Sequence, residues 1–279
     1  MSVSPVSIAQ KRADFRKLHE SGCFVLPNPW DAGSARLLQS LGFKALASTS
    51  AGYAWSTGRP DYGLLCDDVV GHLRVLCAAT DLPVNADYEN GFADEPAAVA
   101  ANVRKAVEAG VAGLSIENRT ADKQKPLYDN ALAVDRIKAA RAAIDSDRSG
   151  AVLVARCEGF LVGEADLAAT IARLVAFAEA GADCLYAPGL KTKEQIAAVV
   201  KAVAPKPVNV LVGTAPGFSV AELTELGVRR VSVGGALARA AWGGFMRAAK
   251  EIAEQGTFSE FANGYPGGDL QKTFAAKRD

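Results

Sequence analysis

The sequence predicts a (β/α)8 barrel, with one helix before it and an extension after it. Three observations carry this expectation. Eight short apolar runs alternate with helical patterns along the chain. One helix-to-strand turn recurs four times. No G-x-G-x-x-G follows the first run, which counts against the rival, a doubly wound open sheet.

The runs are 22–26 (GCFVL), 44–48 (KALAS), 83–87 (PVNAD), 112–116 (AGLSI), 151–155 (AVLVA), 183–186 (DCLY), 207–211 (PVNVL) and 229–233 (RRVSV). Continuous apolar runs suit strands buried on both faces, as in a parallel sheet. Ala- and Leu-rich stretches with helical spacing lie between them, among them 96–108, 131–145, 164–179, 192–203 and 236–254. The repeated turn reads S-L-G-F-K-A-L, E-A-G-V-A-G-L, E-A-G-A-D-C-L and E-L-G-V-R-R-V. Its glycine (Gly42, Gly110, Gly181 or Gly227) sits where a helix stops in a left-handed residue before a strand begins. Four copies imply a repeated unit. The barrel is expected over about 22–255, within a single domain 1–279. The Gly-rich tail 256–279 packs on a neighbouring subunit or stays partly loose.

A chain of 279 residues can bury a sizeable core. Its 31 acidic and 31 basic residues balance, which excludes a nucleic-acid or membrane-surface footprint. The five cysteines, Cys23, Cys66, Cys77, Cys157 and Cys184, show no C-x-x-C spacing and read as reduced thiols of a cytoplasmic protein. The N-terminus M-S-V-S-P-V-S-I-A-Q-K-R lacks the apolar core of a signal peptide, and no segment is long enough to span a membrane.

In a barrel the chemistry gathers where strands end and βα loops begin. The third run ends in P-V-N-A-D-Y-E-N-G, which places Asp87 and Glu89 at a strand tip on one side of the chain. Such a pair suits a hard cation, although Asp, Asn and Gly also make ordinary turns. The first strand leads to Asn28, Trp30 and Asp31, the last a helix cap. After the second strand, S-T-S-A-G-Y-A-W-S-T-G-R-P-D reads as a small-residue loop. Ser48, Thr49 and Ser50 there form a nest for an anion, or simply a flexible surface; Asp61 closes the loop. Strand four supplies Glu117, strand five Arg156 and Glu158, and strand seven Asn209; Arg239 follows strand eight. Grouped buried carboxylates are expensive without a cation, so a divalent metal is the economical inference. Arg156 then suits the carboxylate of a small acid, or else bridges Glu158 or Glu117. The two histidines, His19 and His72, fall in helical stretches away from the strand tips, against a zinc site or a Ser-His-Asp triad.

The ordered set N-P-W-D-A-G-S-A, T-S-A-G-x-A-x-x-x-G-x-P-D, D-x-E-x-G, I-E-N, A-R-C-E-G-F and E-L-G-V-R-R-V-S-V-G-G resembles the isocitrate lyase/phosphoenolpyruvate mutase superfamily over about residues 22–245. The resemblance implies a Mg²⁺-dependent barrel, with Mn²⁺ as a substitute, acting on a small 2-oxo or 2-hydroxy acid. A P–C or C–C bond is made or broken through an enolate-like oxyanion. It implies Asp87 as direct metal ligand, with Asp61, Glu89 and Glu117 holding the metal's waters. It implies Thr49, Ser50 and Ala51 at the carboxylate or phosphonyl end, and Arg156 on the substrate and the developing charge. Trp30, Asn209 and Arg239 join the substrate-binding set. It also implies a homotetramer, a dimer of dimers whose paired subunits exchange the last barrel helix.

The resemblance has breaks. Lyases of the superfamily carry K-K-C-G-H or K-R-C-G-H after strand four, and this chain reads E-N-R-T-A-D-K-Q-K-P-L-Y-D. The A-R-C-E-G-F-x-x-G segment is closer to phosphonomutases, whose P-K-T-N-S lysine aligns with Lys123, while Lys125 replaces the asparagine and Pro188 stands where mutases have histidine. With Glu117 and Arg156, Lys123 completes the expected catalytic set. The reading is a mutase-like enzyme. The alternatives are a C–C lyase or decarboxylase with a non-cysteine base, acting on a methylisocitrate, dimethylmalate or oxaloacetate type of substrate, and a 2-oxo-acid-binding protein with little catalysis.

Overall fold

The computed structural model describes residues 6–215 and 217–275. Eight strands form one parallel sheet: β1 (Phe24–Leu26), β2 (Leu46–Ala47), β3 (Val84–Asp87), β4 (Gly113–Glu117), β5 (Val152–Arg156), β6 (Cys184–Tyr186), β7 (Val208–Leu211) and β8 (Arg230–Ser232). The order β1-β8-β7-β6-β5-β4-β3-β2 brings the first and last strands together. The helices are α1 (Ile8–Leu18), α2 (Ala32–Ser40), α3 (Ser50–Ser56), α4 (Cys66–Ala79), α5 (Pro96–Glu108), α6 (Asn130–Ser146), α7 (Leu167–Glu179), α8 (Lys193–Val203), α9 (Val220–Glu225), α10 (Ala236–Gln255) and α11 (Gly267–Ala275). This is the expected (β/α)8 barrel, with α1 before it and α11 after it.

The repeated turn works as its glycines require. Gly42, Gly110, Gly181 and Gly227 all have φ between +82° and +103°, a region costly for residues with a Cβ. The N-terminal helix α1 lies across the bottom of the barrel. Lys11, Arg12 and Arg16 donate to carbonyls just ahead of β3, β4 and β5, including those of Thr80, Val111 and Ala151. Phe15 is fully buried against Phe24, Ala112 and Val152.

One expectation is corrected here. The segment after β2 is not a loop but the short helix α3, because Thr49 Oγ1 accepts from the Gly52 backbone N–H and caps it. All five cysteines are free thiols, and Cys157 and Cys184 are buried. Among the described residues no helix is long and apolar enough to cross a membrane. The described part of the tail folds back on its own chain. Glu251 accepts from Thr257, Ser259 and Glu260, and Phe274 of α11 lies beneath the Arg36 guanidinium of α2.

The seam between β1 and β2 lacks a ladder and is crossed by the Ala47 N–H to Pro27 carbonyl bond at 3.1 Å. Asn28 reinforces it. Its amide donates to the Ser48 carbonyl at 2.8 Å, while its Oδ1 accepts from the N–H groups of Val233 and Gly234, both at 2.9 Å. One buried side chain therefore joins β1, β2 and β8. Asn28→Ala leaves two backbone donors and one acceptor without these partners and is expected to cost about 2–4 kcal/mol, at about 1 kcal/mol or more per lost bond. Urea unfolding of the two proteins checks this, and a loss below about 0.5 kcal/mol, the usual range of a surface change, contradicts it.

Candidate active site

Asp87 ends β3, and both of its carboxylate oxygens are engaged. Oδ2 accepts from the Ser50 N–H at 3.0 Å and the Ser50 hydroxyl at 2.9 Å; Oδ1 accepts from Arg156 Nη1 at 2.6 Å. Because the strand stops at Asp87, strand alternation does not place Glu89 as the sequence pattern suggested. Glu89 turns into the site through a left-handed backbone, φ +46°, a conformation that costs about 1–2 kcal/mol in a residue with a Cβ.

Arg156, the last residue of β5, is the centre of charge. Besides Asp87 it reaches Glu117 Oε2 at 3.2 Å and Glu158 Oε1 at 3.0 Å, and its guanidinium lies 4.9 Å from the Tyr186 ring centroid. The two structural partners anticipated for it are thus present together with Asp87. Glu117 and Glu158 are almost completely buried. One cation does not satisfy this group. Glu89 Oε1, Glu117 Oε1 and Glu158 Oε2 are buried without a hydrogen-bond partner. Burial, then the charges of Asp87 and Asp61, pushes Glu89 up to about 8. Burial, then Glu158, raises Glu117 well above the carboxylate range, and burial followed by Asp87 raises Asp61.

Four of the expected residues, Asp61, Glu89, Glu117 and Lys123, line one cavity of about 480 Å³. Ser50, Asp87 and Arg156 join it through Glu117. Tyr62 and Arg119 also line it, with the Arg119 guanidinium 4.1 Å from the Tyr62 ring centroid. Neither was expected, and only the position of Tyr62 beside Asp61 hinted at it. The other expected residues lie elsewhere. Thr49 is buried with its hydroxyl committed to the α3 cap. Ala51 follows in the first turn of α3, beside Gly235. Trp30 offers its carbonyl to His72, which is buried in α4 and stacked on Tyr53. Asn209 lies inside the barrel, bonded to Ser232 and Arg230. Arg239 donates to the Gly213 carbonyl and faces the β7 loop instead of the carboxylates.

Among the described residues no group of three His, Cys, Asp or Glu side chains is arranged to enclose a metal ion. The donor chemistry nevertheless fits a hard cation. All the donors are oxygens, two of the unpartnered buried atoms belong to cavity residues, and Mg²⁺ needs only one or two carboxylates because it keeps several waters.

A parallel barrel with carboxylates and an arginine gathered at its strand tips defines an enzyme-like protein of the α/β barrel class. Residues 15–253 match the phosphoenolpyruvate phosphomutase family, and the chain belongs to it. It is similar to a protein of Burkholderia cenocepacia J2315 whose assignment stands open between lyase and mutase: 51% identity, 97% of this chain and 98% of that one, TM-score 0.94. It is similar to 2,3-dimethylmalate lyase of the PEP mutase/isocitrate lyase superfamily, at 27% identity over 94% of each chain, with TM-score 0.85. It also shares 34% identity with 2-methylisocitrate lyase of Escherichia coli K12, over 56% of this chain and 54% of that protein.

The site makes stability depend on pH. Between 4.5 and about 8 the folded chain holds a proton on Glu89 that the unfolded chain releases. That contribution is complete below 4.5 and fades as pH rises through 8. His19 and His72, pushed down to about 3 and about 4 by burial, act in the opposite sense, but only below 6.5. From about pH 6.5 to 8 the metal-free protein should therefore lose about 2 kcal/mol through Glu89, and Glu89→Gln should remove that share. Urea unfolding in a chelator at both pH values tests this; equal slopes in the two proteins would refute it.

Proposed function

We propose that this protein is a divalent-cation-dependent enzyme that makes or breaks a P–C or C–C bond in a small 2-oxo or 2-hydroxy acid, in the manner of a phosphonomutase. The observation that carries the reading is the set of buried, partly unpartnered carboxylate oxygens of Glu89 and Glu117 beside Arg156. In this reading Asp87 is the direct ligand of Mg²⁺ or Mn²⁺, and Asp61, Glu89 and Glu117 hold its waters. The cation, when bound, polarises an oxygen of the substrate. Arg156 adds a fixed positive charge where negative charge develops on the substrate. Ser50, already bonded to Asp87, orients the carboxylate or phosphonyl end with the backbone of Ala51, whereas the Thr49 hydroxyl, Asn209 and Arg239 are committed to other partners and Trp30 lies outside the cavity. Lys123, on the loop that borders the cavity, approaches from the solvent side.

C–C cleavage with a non-cysteine acid or base is the second reading. It is favoured by Tyr62, whose hydroxyl lies beside Glu117 in the same cavity, where the β4 loop has no cysteine; burial and the Glu117 charge keep that phenol protonated in the unliganded site. Relatives that are lyases by name point the same way. The free thiols suit a reducing, cytoplasmic setting.

A homo-oligomer, a tetramer of two helix-exchanged dimers, accompanies this reading. It is supported by the exposed Trp242, Phe245, Met246 and Ile252 of α10, an apolar set that a second subunit would cover. Light scattering on wild type should give a multiple of 29.1 kDa. The double variant Trp242→Glu, Phe245→Glu should lower that mass, and a monomeric wild type would refute the assembly.

Mg²⁺ is expected to raise the melting temperature of wild type and to leave Asp87→Ala unmoved, while Asp87→Ala loses turnover on a panel of phosphonopyruvate, oxaloacetate, methylisocitrate and dimethylmalate. Undiminished Mg²⁺ binding by Asp87→Ala overturns the metal assignment. Binding of Mg²⁺ and oxalate without turnover on any panel member would instead favour a 2-oxo-acid-binding protein.

A further inference from the structure

Arg136, on α6, is the largest fully buried side chain, 1% exposed, and it forms no ion pair among the described residues. Its guanidinium faces backbone oxygens instead. Nη1 donates to the carbonyls of Ala93 and Asp94, and Nη2 to that of Asn90. Its flat face lies 4.0 Å from the Tyr128 ring centroid. Burying a guanidinium without a carboxylate partner is expensive, so the arrangement calls for a reason.

The reason lies in the loop that Arg136 holds. Every carbonyl from residue 89 to residue 94 is taken by a donor outside that stretch. Glu89 O accepts from the Glu117 N–H at 3.0 Å. Asn102 Nδ2 of α5 donates to Gly91 O at 2.9 Å and Phe92 O at 3.4 Å. Arg136 takes the remaining three. The loop needs this support because three of its residues are left-handed: Glu89 at φ +46°, Gly91 at +77° and Phe92 at +56°. Tyr128 closes the base, since its hydroxyl donates to Asp94 Oδ1 and accepts from Asn90 Nδ2 at 2.9 Å. The Glu89 carboxylate emerges from this frame into the cavity with Oε1 unpartnered.

We propose that Arg136 is a positioning residue of the active site: together with Asn102 it clamps residues 90–94 so that the strained Glu89 presents its carboxylate to a divalent cation. The inference rests on the metal reading given above and adds to it two residues outside the cavity lining that set one carboxylate's position. A lysine cannot replace the clamp, because an ammonium lacks the planar fork that spans three carbonyls.

The test is a double-mutant cycle read as Mg²⁺ affinity by calorimetry on the full chain, with the metal alone as probe. Arg136→Lys should weaken Mg²⁺ binding by about tenfold or more, the size expected when a supporting contact of a metal site is lost. Glu89→Gln should weaken it comparably. The double variant should bind no more weakly than Glu89→Gln by more than about twofold, because the two residues act on one carboxylate. Amide exchange should speed up at residues 90–95 and stay unchanged in the barrel strands. A purely structural Arg136 would give multiplicative losses in the cycle, which overturns the proposal. So does unchanged Mg²⁺ affinity in Arg136→Lys while Asp87→Ala and Glu89→Gln lose binding. If those two variants both keep Mg²⁺ binding, the metal reading itself has failed, and this inference falls with it. Should Arg136→Lys not fold, Asn102→Ala, which frees the Gly91 and Phe92 carbonyls, carries the same cycle with the same outcomes.

Discussion

The ion cluster of Arg156 with Asp87, Glu117 and Glu158 is the constraint on which the upper half of the barrel depends. These residues come from the tips of β3, β4 and β5, or just beyond, and parallel register alone does not fix how such tips converge. A single guanidinium does so by presenting three donor positions, Nε, Nη1 and Nη2, to three different carboxylates. The stability argument for such a cluster is weak, since buried ion pairs often cost as much in desolvation as they return. Here three acids also outnumber one base. The cluster is better understood as a device that holds excess negative charge in a defined place.

That excess has consequences in the next layer of structure. Burial, and then the charges of Asp87 and Asp61, raise the pKa of Glu89, and only a relaxed backbone would let its carboxyl avoid both. The backbone cannot relax, because the carbonyls around it are bound to α5, α6 and β4. The backbone strain of Glu89 is therefore borne by the 89–94 loop, which two barrel helices hold through Asn102 and Arg136. Rigid loops at the C-terminal face of a barrel commonly serve chemistry, and strain concentrated there rather than in the core is consistent with that use.

Much of this was legible in the sequence. The strands lie in or within one residue of their apolar runs, and the four glycines that stop helices have the left-handed φ values their spacing implied. Asp31 caps α2, with Ser34 completing the reciprocal pair. What was not legible depended on contacts between distant segments. Thr49 reads as a loop hydroxyl until Gly52 is seen to be its partner. Asn209 reads as a strand-tip amide, but Arg230, itself unremarked, engages it within the barrel. Arg136 reads as one more charge on an amphipathic helix, and nothing local shows that it faces inward. Glu89 reached the cavity for a reason other than the one the pattern supplied: alternation requires a strand, and the strand ends two residues earlier.

In the metal-dependent reading proposed above, the arrangement around Asp87 would also link cation and substrate. Its two oxygens already accept three hydrogen bonds, two from Ser50 and one from Arg156. A dication on Asp87 would compete with those donors for the same lone pairs. Arg156 has the least to lose by yielding, because Glu117 and Glu158 still hold its other two nitrogens. Loosening Nη1 from Asp87 would leave the guanidinium anchored on two sides, with one donor free for an incoming carboxylate or phosphonate. Cation and acid would then bind in a cooperative order, the first preparing the arginine for the second, and the coupling would be reciprocal as thermodynamic linkage demands. In that reading the three acids around one arginine have separate uses: Glu117 and Glu158 would keep it in place while Asp87 is exchanged.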